Sequence, residues 1–203
     1  MGKLIIDQFM TLDGVVQAPG GPEEDSSDGF AHGGWQFGFS DDELGDAVLA
    51  ETRASEAMLL GRRTYEIFAS YWPNAAADDP FAKKLNAMPK YVASRSLTRV
   101  AWQNSTLLGP DLAREVAGIK ARHGEVHVVG SGNLAQSLMR ERLVDRFNLW
   151  IYPLVLGTGK RLFADGAVPT ALHLVRSRTF KSGALQLTYD PSGKPRYGTA
   201  SSE

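Results

Sequence analysis

The sequence has 203 residues, of which 43% are hydrophobic and 22% are charged. These values are typical of a globular domain and exclude a wholly disordered chain. Cysteine is absent, which excludes thiol nucleophiles, cysteine-ligated zinc and iron–sulfur clusters, and the four histidines lack metal-ligand spacing. No signal-peptide core and no apolar run long enough to span a bilayer is recognisable, so we expect a cytoplasmic protein without a membrane segment or a metal site.

Charge is unevenly distributed along the chain. Residues 4–52 contain eleven acidic residues and no lysine or arginine, whereas residues 53–203 contain 21 basic and 12 acidic residues. The second part is therefore better suited to bind an anion. Its basic residues are dispersed among apolar segments, which argues against a nucleic-acid surface. A small phosphorylated ligand fits this distribution better.

The predicted elements begin with a strand at residues 3–9, which leads into a turn at Asp13-Gly14. Residues 17–39 form a long loop with acidic and aromatic residues, and loops of this length are usually functional or disordered. We expect this loop to be a lid or a substrate wall. Ser40 is the predicted N-cap of a helix that ends near residue 54.

The following segments alternate between short apolar strands and amphipathic helices, before a final group of strands. Further strands are predicted at residues 57–61, 91–94, 106–108, 126–129, 147–152, 172–178 and 185–189, and helices at residues 62–70, 81–87, 110–123 and 133–142. This order indicates an α/β fold with a mainly parallel sheet and antiparallel C-terminal strands. Residues 1–190 form the predicted domain, and the polar residues 191–203 are predicted to be a mobile tail.

Two of the predicted strands end in glycine directly before a helix. The junctions are Gly61-Arg62-Arg63-Thr64 and Gly130-Ser131-Gly132-Asn133-Leu134. Glycine lets the backbone approach a ligand, and the free N–H groups at a helix N-terminus favour phosphate. Two guanidinium groups in the first junction can add charge-assisted hydrogen bonds. Either junction taken alone is more often a simple turn.

A third strand end, Ser94-Arg95-Ser96, combines two hydroxyls with a guanidinium. This set suits a terminal phosphate monoester, such as the 2′-phosphate of NADPH, although a lone Arg95 is more often a solvated surface residue. The Gly130 junction also matches a dinucleotide fingerprint, but a Rossmann domain usually carries that turn after its first strand. The occurrence of three phosphate-compatible strand ends in one small domain is what favours a dinucleotide site.

Five short motifs occur in a fixed order within residues 3–190. They are Thr11-Leu12-Asp13-Gly14, Gly61-Arg62-Arg63-Thr64-Tyr65-Glu66, Ser94-Arg95-Ser96-Leu97, Val129-Gly130-Ser131-Gly132 and Pro153-Leu154-Val155-Leu156-Gly157-Thr158-Gly159. Their order resembles the dihydrofolate reductase-like superfamily, in particular the reductase domain of the riboflavin-biosynthesis deaminase-reductase and its stand-alone relatives. The resemblance implies a three-layer sandwich that binds NADPH, with hydride passing to a bound heterocycle.

The resemblance also implies roles for these motifs. Residues 61–64 and 130–134 would hold phosphates, residues 94–96 the adenosine 2′-phosphate, and Asp13-Gly14 would lie beside the nicotinamide. The implied substrate is a phosphoribosylamino-pyrimidine whose ribose ring is opened by reduction, and the implied assembly is a homodimer. Dihydrofolate reduction, or nucleotide binding without turnover, are the alternatives.

Dihydrofolate reductases carry one acid on the helix before the Gly-Arg motif, and this chain offers Asp42, Glu43 and Asp46 there. Asp42 and Asp46 share a helix face, and they are the predicted catalytic acids, with Asp46 the closer in spacing. The alternative is that all three acids only interact favourably with the helix dipole. His127 lies in an apolar strand and is expected to be a packed side chain rather than a catalyst.

Aromatic residues in the long loop are candidates for substrate binding. Trp35 and Phe37 are predicted to stack on the flat ring of a substrate, and the alternative is that they fill the core. Aromatic and aliphatic residues also alternate in the strand at residues 147–152, where Leu149 and Ile151 face away from Trp150. Both faces of this strand are thus apolar, and a partner subunit that covers one of them would give a homodimer.

Overall fold

The computed structural model describes residues 2–198, which form one eight-stranded sheet with helices on both faces. The strands are β1 (Lys3–Thr11), β2 (Ala57–Gly61), β3 (Lys90–Ala93), β4 (Ser105–Leu107), β5 (Glu125–Val129), β6 (Arg146–Tyr152), β7 (Ala171–Thr179) and β8 (Leu185–Gly193). The α-helices are α1 (Asp42–Ala54), α2 (Arg62–Tyr71), α3 (Pro80–Ala87), α4 (Leu112–Arg122) and α5 (Gly132–Arg140). These elements confirm every predicted helix and strand, with ends shifted by a few residues. Within the same residues, no helix is long and apolar enough to cross a lipid bilayer.

The strands lie in the order β4-β3-β2-β5-β1-β6-β8-β7. Neighbouring strands from β4 to β6 in this order are parallel, and β8 pairs antiparallel with both β6 and β7. The first strand of the chain therefore lies in the middle of the sheet, between β5 and β6. This topology confirms the predicted α/β fold with a mainly parallel sheet and antiparallel C-terminal strands.

The sheet is covered on both faces because its central strands carry apolar side chains on both faces. On one face, α4 and α5 bury Ile119 and Leu138. On the other face, α1 and α3 bury Leu44 and Leu85. Since α2 directly follows β2 and α5 follows β5 after a short turn, their N-termini lie at the carboxyl edge of the parallel strands.

Two predicted boundaries are corrected by the structure. The N-cap of α1 is Asp41 rather than Ser40, because the Asp41 carboxylate accepts the Leu44 N–H at 2.8 Å. β8 extends to Gly193, beyond its predicted end at residue 189 and into the predicted tail. Pro191 is tolerated there because the pairing with β6 has already ended. The mobility predicted for the tail stays a prediction, and residues 199–203 lie outside the described residues.

Both faces of β6 are covered within the chain. Leu149 belongs to the core cluster beneath α4 and α5, and Ile151 packs against it. Trp150 and Tyr152 pack on the opposite face with residues of α1. No partner subunit is therefore needed to cover either face of β6, because β6 lies between two helix layers. The homodimer itself stays a prediction of the family resemblance.

Candidate functional site

A cleft of about 1730 Å³ opens at the carboxyl edge of the parallel strands. Its walls include residues at the ends of β2, β3 and β5, the first turns of α2 and α5, and part of the long loop. Ligands of open α/β sheets bind outside the carboxyl ends of the strands. Pockets for one small molecule typically enclose roughly 300–1,000 Å³. This cleft is large enough for a dinucleotide together with a second small molecule.

The two glycine junctions lie side by side in this cleft. The Gly61 N–H donates to the Ser131 hydroxyl at 2.9 Å, and the Ser131 N–H donates to the Thr64 hydroxyl at 3.0 Å. Gly130 has a φ of +58°, and a Cβ added to it would lie 3.2 Å from the Thr64 hydroxyl oxygen. Glycine is therefore needed at residue 130 for the two turns to approach each other.

Neither of the two neighbouring helices has a side-chain cap. The N-cap of α2 is Gly61, which has no side chain, and the N-cap of α5 is Ser131, whose hydroxyl accepts no hydrogen bond from the first turn. The first N–H groups of a helix have no partner within the helix. Residues 62–64 and 132–134 therefore direct N–H groups and two positive dipole ends towards one region. This arrangement fits the two linked phosphates of a dinucleotide.

The strand end after β3 lies in the same cleft. Ser94, Arg95 and Ser96 all line it, and the Arg95 side chain is exposed. The Ser94 hydroxyl accepts hydrogen bonds from the N–H groups of Ser96 and Leu97, at 3.2 and 3.0 Å, and so fixes the turn. The structure thus brings all three predicted phosphate-binding strand ends together.

The long acidic loop also reaches the cations of the cleft. The Asp25 carboxylate lies 2.6 Å from Arg63 Nη1 and 2.7 Å from Lys160 Nζ. Both cations donate to the Ser27 hydroxyl as well. Burial opposes ionisation, but the hydrogen bonds from Lys160, Ser27 and Arg63 outweigh it and hold the pKa of Asp25 well below its usual range. Asp25 thus lies as an anion between two cations that line the cleft, and one of them, Arg63, belongs to a predicted phosphate site.

Asp13 and Gly14 are not among the residues that line the cleft. The Asp13 carboxylate accepts the Thr11 hydroxyl at 2.6 Å and the Gly157 N–H at 2.8 Å. The Thr11 hydrogen bond has the largest effect and, against the opposing effect of burial, lowers the pKa of Asp13 to about 2. Asp13 thus joins the end of β1 to the loop after β6. The contact of this turn with nicotinamide stays a prediction. The position of Asp13 and Gly14 outside the cleft lining does not support it.

The two predicted aromatic contacts differ in position. Phe37 lines the cleft and is 62% exposed. Trp35 is buried, donates from Nε1 to the Gln17 carbonyl at 2.8 Å and packs edge-to-face on Tyr152. Phe37 is therefore available to a ligand, whereas Trp35 anchors the loop in the core.

The cleft-lining face of α1 contains no acid. It consists of Leu44, Gly45, Val48 and Thr52, which recur at helical spacing. The predicted acids, Asp42 and Asp46, lie in the same helix, are exposed and do not line the cleft. Their catalytic role stays a prediction that their position does not support.

A buried polar cluster lies on the sheet face that α1 covers. Asp7 of β1 accepts hydrogen bonds from Trp150 Nε1 at 2.7 Å and from Asn148 Nδ2 at 3.3 Å, through the same oxygen. Its other oxygen lies 3.1 Å from His127 Nδ1, which carries a proton because a carboxylate can only accept. Burial opposes protonation of His127, but the hydrogen bond and charge of Asp7, with Glu125 and Glu51, outweigh it and raise the pKa of His127. Asp7 and His127 both line the cleft.

Asp7 has no role among the sequence-based predictions, and His127 is predicted there only as a packed side chain. A signal was present, because Asp7 interrupts the apolar run of β1 and His127 interrupts that of β5. Central parallel strands normally form continuous apolar runs. Polar residues in two such strands therefore indicate a site, provided that the strands are known to be neighbours. Lys160 and Asp25 gave no comparable signal.

Known proteins resemble this chain both in sequence and in structure. Uncharacterized protein YyaP of Bacillus subtilis (strain 168) is 28% identical over 197 residues, which cover 94% of this chain and 96% of that protein. A putative riboflavin biosynthesis protein from Shewanella sp. PV-4 has a similar structure, with a TM-score of 0.71, 20% identity and coverage of 95% of this chain and 99% of the other.

The same comparison relates the fold to dihydrofolate reductase. The enzyme from Enterococcus faecalis, solved in complex with NADP(H) and RAB-propyl, has a similar structure, with a TM-score of 0.59, 13% identity and coverage of 94% of this chain and 97% of the other. This likeness confirms the dihydrofolate reductase-like three-layer sandwich. Residues 2–186 match the family described as the RibD C-terminal domain. The chain therefore belongs to the RibD C-terminal domain family.

Proposed function

We propose that this protein is an NADPH-dependent reductase of a small heterocyclic substrate, of the type that acts in riboflavin biosynthesis. The observation that carries the proposal is the pair of adjacent, uncapped helix N-termini in one cleft with the Ser94-Arg95-Ser96 strand end. Family membership and the likeness to a dihydrofolate reductase solved with NADP(H) support it.

The residues of the cleft fit this cofactor. The N–H groups of residues 62–64 and 132–134 would hold the two linked phosphates, and residues 94–96 would hold the 2′-phosphate. Arg62 and Arg63 would add charge at the first of these positions. NADPH, when bound, supplies a hydride to the substrate. Phe37 and the cleft-lining face of α1 would enclose the substrate ring and exclude water.

The substrate proposed first is 5-amino-6-(5-phosphoribosylamino)uracil. It is supported by the family and by a structural relative described as a putative riboflavin biosynthesis protein. Dihydrofolate reduction is less well supported, because the cleft-lining residues of α1 include no acid at the place where the resemblance implies one. A cytoplasmic location and a homodimer are retained as further parts of the proposal.

The proposed cofactor is tested by comparing the affinities for NADPH and NADH. We expect clear preference for NADPH, because Arg95 would otherwise face no phosphate. Arg95→Ala should weaken NADPH binding about 10- to 150-fold, since a hydrogen bond to a charged group contributes about 1.5–3 kcal/mol. NADH binding should not change. Arg99→Ala, which removes an exposed guanidinium outside the cleft lining, is the matched control.

Equal binding of NADPH and NADH by the unmodified protein would contradict the cofactor assignment. The reductase activity is tested separately, by NADPH oxidation with candidate pyrimidines and pteridines. NADPH binding without oxidation in the presence of any of them would favour nucleotide binding without turnover.

A further inference from the structure

Asp7 differs from the other acids of the cleft in its surroundings. It lies on the central strand β1, and its side chain is only 13% exposed. Trp150, Asn148 and His127 converge on its two oxygens from β6 and β5. An ionised carboxylate has about four acceptor sites. Three donors therefore leave acceptor capacity on the part of Asp7 that opens to the cleft.

His127 compensates for the cost of burying this carboxylate. A buried charge without a partner is strongly destabilising. The imidazole is 2% exposed, lies 3.1 Å from Asp7, and is flanked by Glu125 at 3.8 Å from Nε2. Within residues 2–198, Nε2 has no hydrogen-bond partner. His127 thus donates a hydrogen bond from Nδ1 to Asp7, and this contact fixes the position of the carboxylate in the sheet.

The helix that covers this face of the sheet leaves room for a ring. Gly45 of α1 lines the same cleft, and a Cβ added to it would meet no atom within 4 Å. Val48 and Met58 line the cleft as well and provide apolar surface. The cleft therefore combines an open space, apolar walls and, on the central strand β1, a fixed carboxylate. Those features fit a flat heterocycle that carries a hydrogen-bond donor.

We propose that Asp7 is the substrate-binding group of this cleft and accepts a hydrogen bond from a ring N–H of the heterocycle. The inference rests on the proposed function, which it deepens by naming the substrate class. Substrates are heterocycles with an N–H on the edge that enters the cleft, and fully N-alkylated rings are rejected. His127 is a positioning residue that fixes the orientation of the carboxylate. Asp7 of β1 thus takes the place of the acid that the family resemblance implies on α1.

The first test uses the unmodified protein without cofactor and two fluorescent probes of nearly equal shape. Lumazine carries ring N–H groups at both pyrimidine nitrogens, whereas 1,3-dimethyllumazine carries none. We expect lumazine to bind at least tenfold more tightly in a fluorescence titration, since a charged acceptor left without its donor costs about 1.5–3 kcal/mol. Equal affinities, or no binding of lumazine, would overturn the proposal.

The second test assigns this discrimination to Asp7. Asp7→Asn should reduce the ratio of the two affinities to about one, whereas Asp78→Asn, the same change at an exposed acid outside the cleft lining, should leave it unchanged. Circular dichroism and urea unfolding show whether each variant is folded. A folded Asp7→Asn protein that keeps the full ratio would contradict the proposal.

The positioning role of His127 has its own readout. His127→Gln retains an N–H donor and should keep most of the discrimination, whereas His127→Leu should lose it. A residue with only a structural role would change the unfolding free energy without changing the ratio of affinities. NADPH binding is measured in parallel on every variant. If the protein binds lumazine more tightly than 1,3-dimethyllumazine but does not bind NADPH, the proposed function is contradicted and the role of Asp7 is supported. If it binds NADPH but binds the two lumazines equally, only the role of Asp7 is contradicted.

Discussion

The two halves of the cleft are built in different ways. The half that we assign to the cofactor consists of three short segments, each contiguous in sequence and each placed at the end of a strand. Two of them offer backbone N–H groups at helix N-termini, and the third offers the side chains of residues 94–96. The half that we assign to the substrate is centred on single side chains from different strands, because Asp7 of β1 lies more than 100 residues away in the chain from both His127 of β5 and Trp150 of β6. A local motif therefore defines one half, and strand pairing defines the other.

This difference predicts that the two halves respond independently to substitution. Backbone N–H groups depend on the conformation of a turn, so conformational changes should affect the cofactor half. Side chains and open space define the substrate half, so changes in side-chain volume should affect substrate binding. Three pairs of variants test this separation, with NADPH and lumazine binding measured for each.

The largest effect is expected for Gly45→Leu in the substrate half. The new side chain would enter the open space that we assign to the ring, and inserting a side chain into occupied volume costs typically 1–3 kcal/mol. Lumazine binding should weaken roughly 10- to 100-fold, and NADPH binding should stay within about twofold.

The control for this variant is Gly118→Leu in α4. Gly118 is also a helix glycine with no atom within 4 Å of an added Cβ, but it does not line the cleft. Both variants gain helix propensity, so a difference in lumazine affinity between them is caused by the position of Gly45 in the cleft. Unchanged lumazine affinity in Gly45→Leu would place the ring elsewhere.

A smaller effect is expected for Gly130→Ala in the cofactor half. Alanine at a φ of +58° is strained by roughly 1–2 kcal/mol, and its Cβ would press on the Thr64 side chain. We expect the free energy of unfolding to fall by about that amount and NADPH binding to weaken, with lumazine binding unchanged.

Gly132→Ala is the matched control in the same turn. A Cβ at residue 132 would make an ordinary contact at 3.7 Å with Val16, and its backbone needs no positive φ. Urea unfolding and NADPH titration of the two variants should therefore differ. If both behave alike, the left-handed conformation of Gly130 is not what holds the two turns together.

The smallest effect is expected for Asp25→Asn in the acidic loop. In the proposed complex the Asp25 carboxylate would compete with phosphate for Arg63 and Lys160, whose side chains are 52% and 39% exposed. Ion pairs with such exposed partners contribute about 0.2–1 kcal/mol, so NADPH should bind roughly two- to fivefold more tightly.

Glu23→Gln, at a neighbouring exposed acid of the same loop, controls for the change in net charge. Isothermal titration at low ionic strength gives the best resolution, because salt screens these charges. Weaker NADPH binding in Asp25→Asn would show that the contact closes the loop over the cofactor instead of competing with it.

The sequence by itself determined the order of the elements and the strand ends that we assign to the cofactor. Apolar periodicity marked each strand and helix, and glycine at the end of a strand marked Gly61 and Gly130 as turns where the backbone can approach an anion. These properties depend on neighbouring residues, so they can be predicted without knowledge of strand order. Boundaries were less certain, because Asp41 and Ser40 are both good N-cap residues and only the Asp41 carboxylate meets the Leu44 N–H.

Only the tertiary structure decided which side chains line the cleft. Helical spacing placed Asp42 and Asp46 on one face of α1, but the packing of α1 on the sheet determines that this face points to solvent. Likewise, the placement of β1 between β5 and β6 brings Asp7 to His127 and Trp150. Strand order depends on contacts between distant segments, and local sequence patterns contain no information about which strands become neighbours.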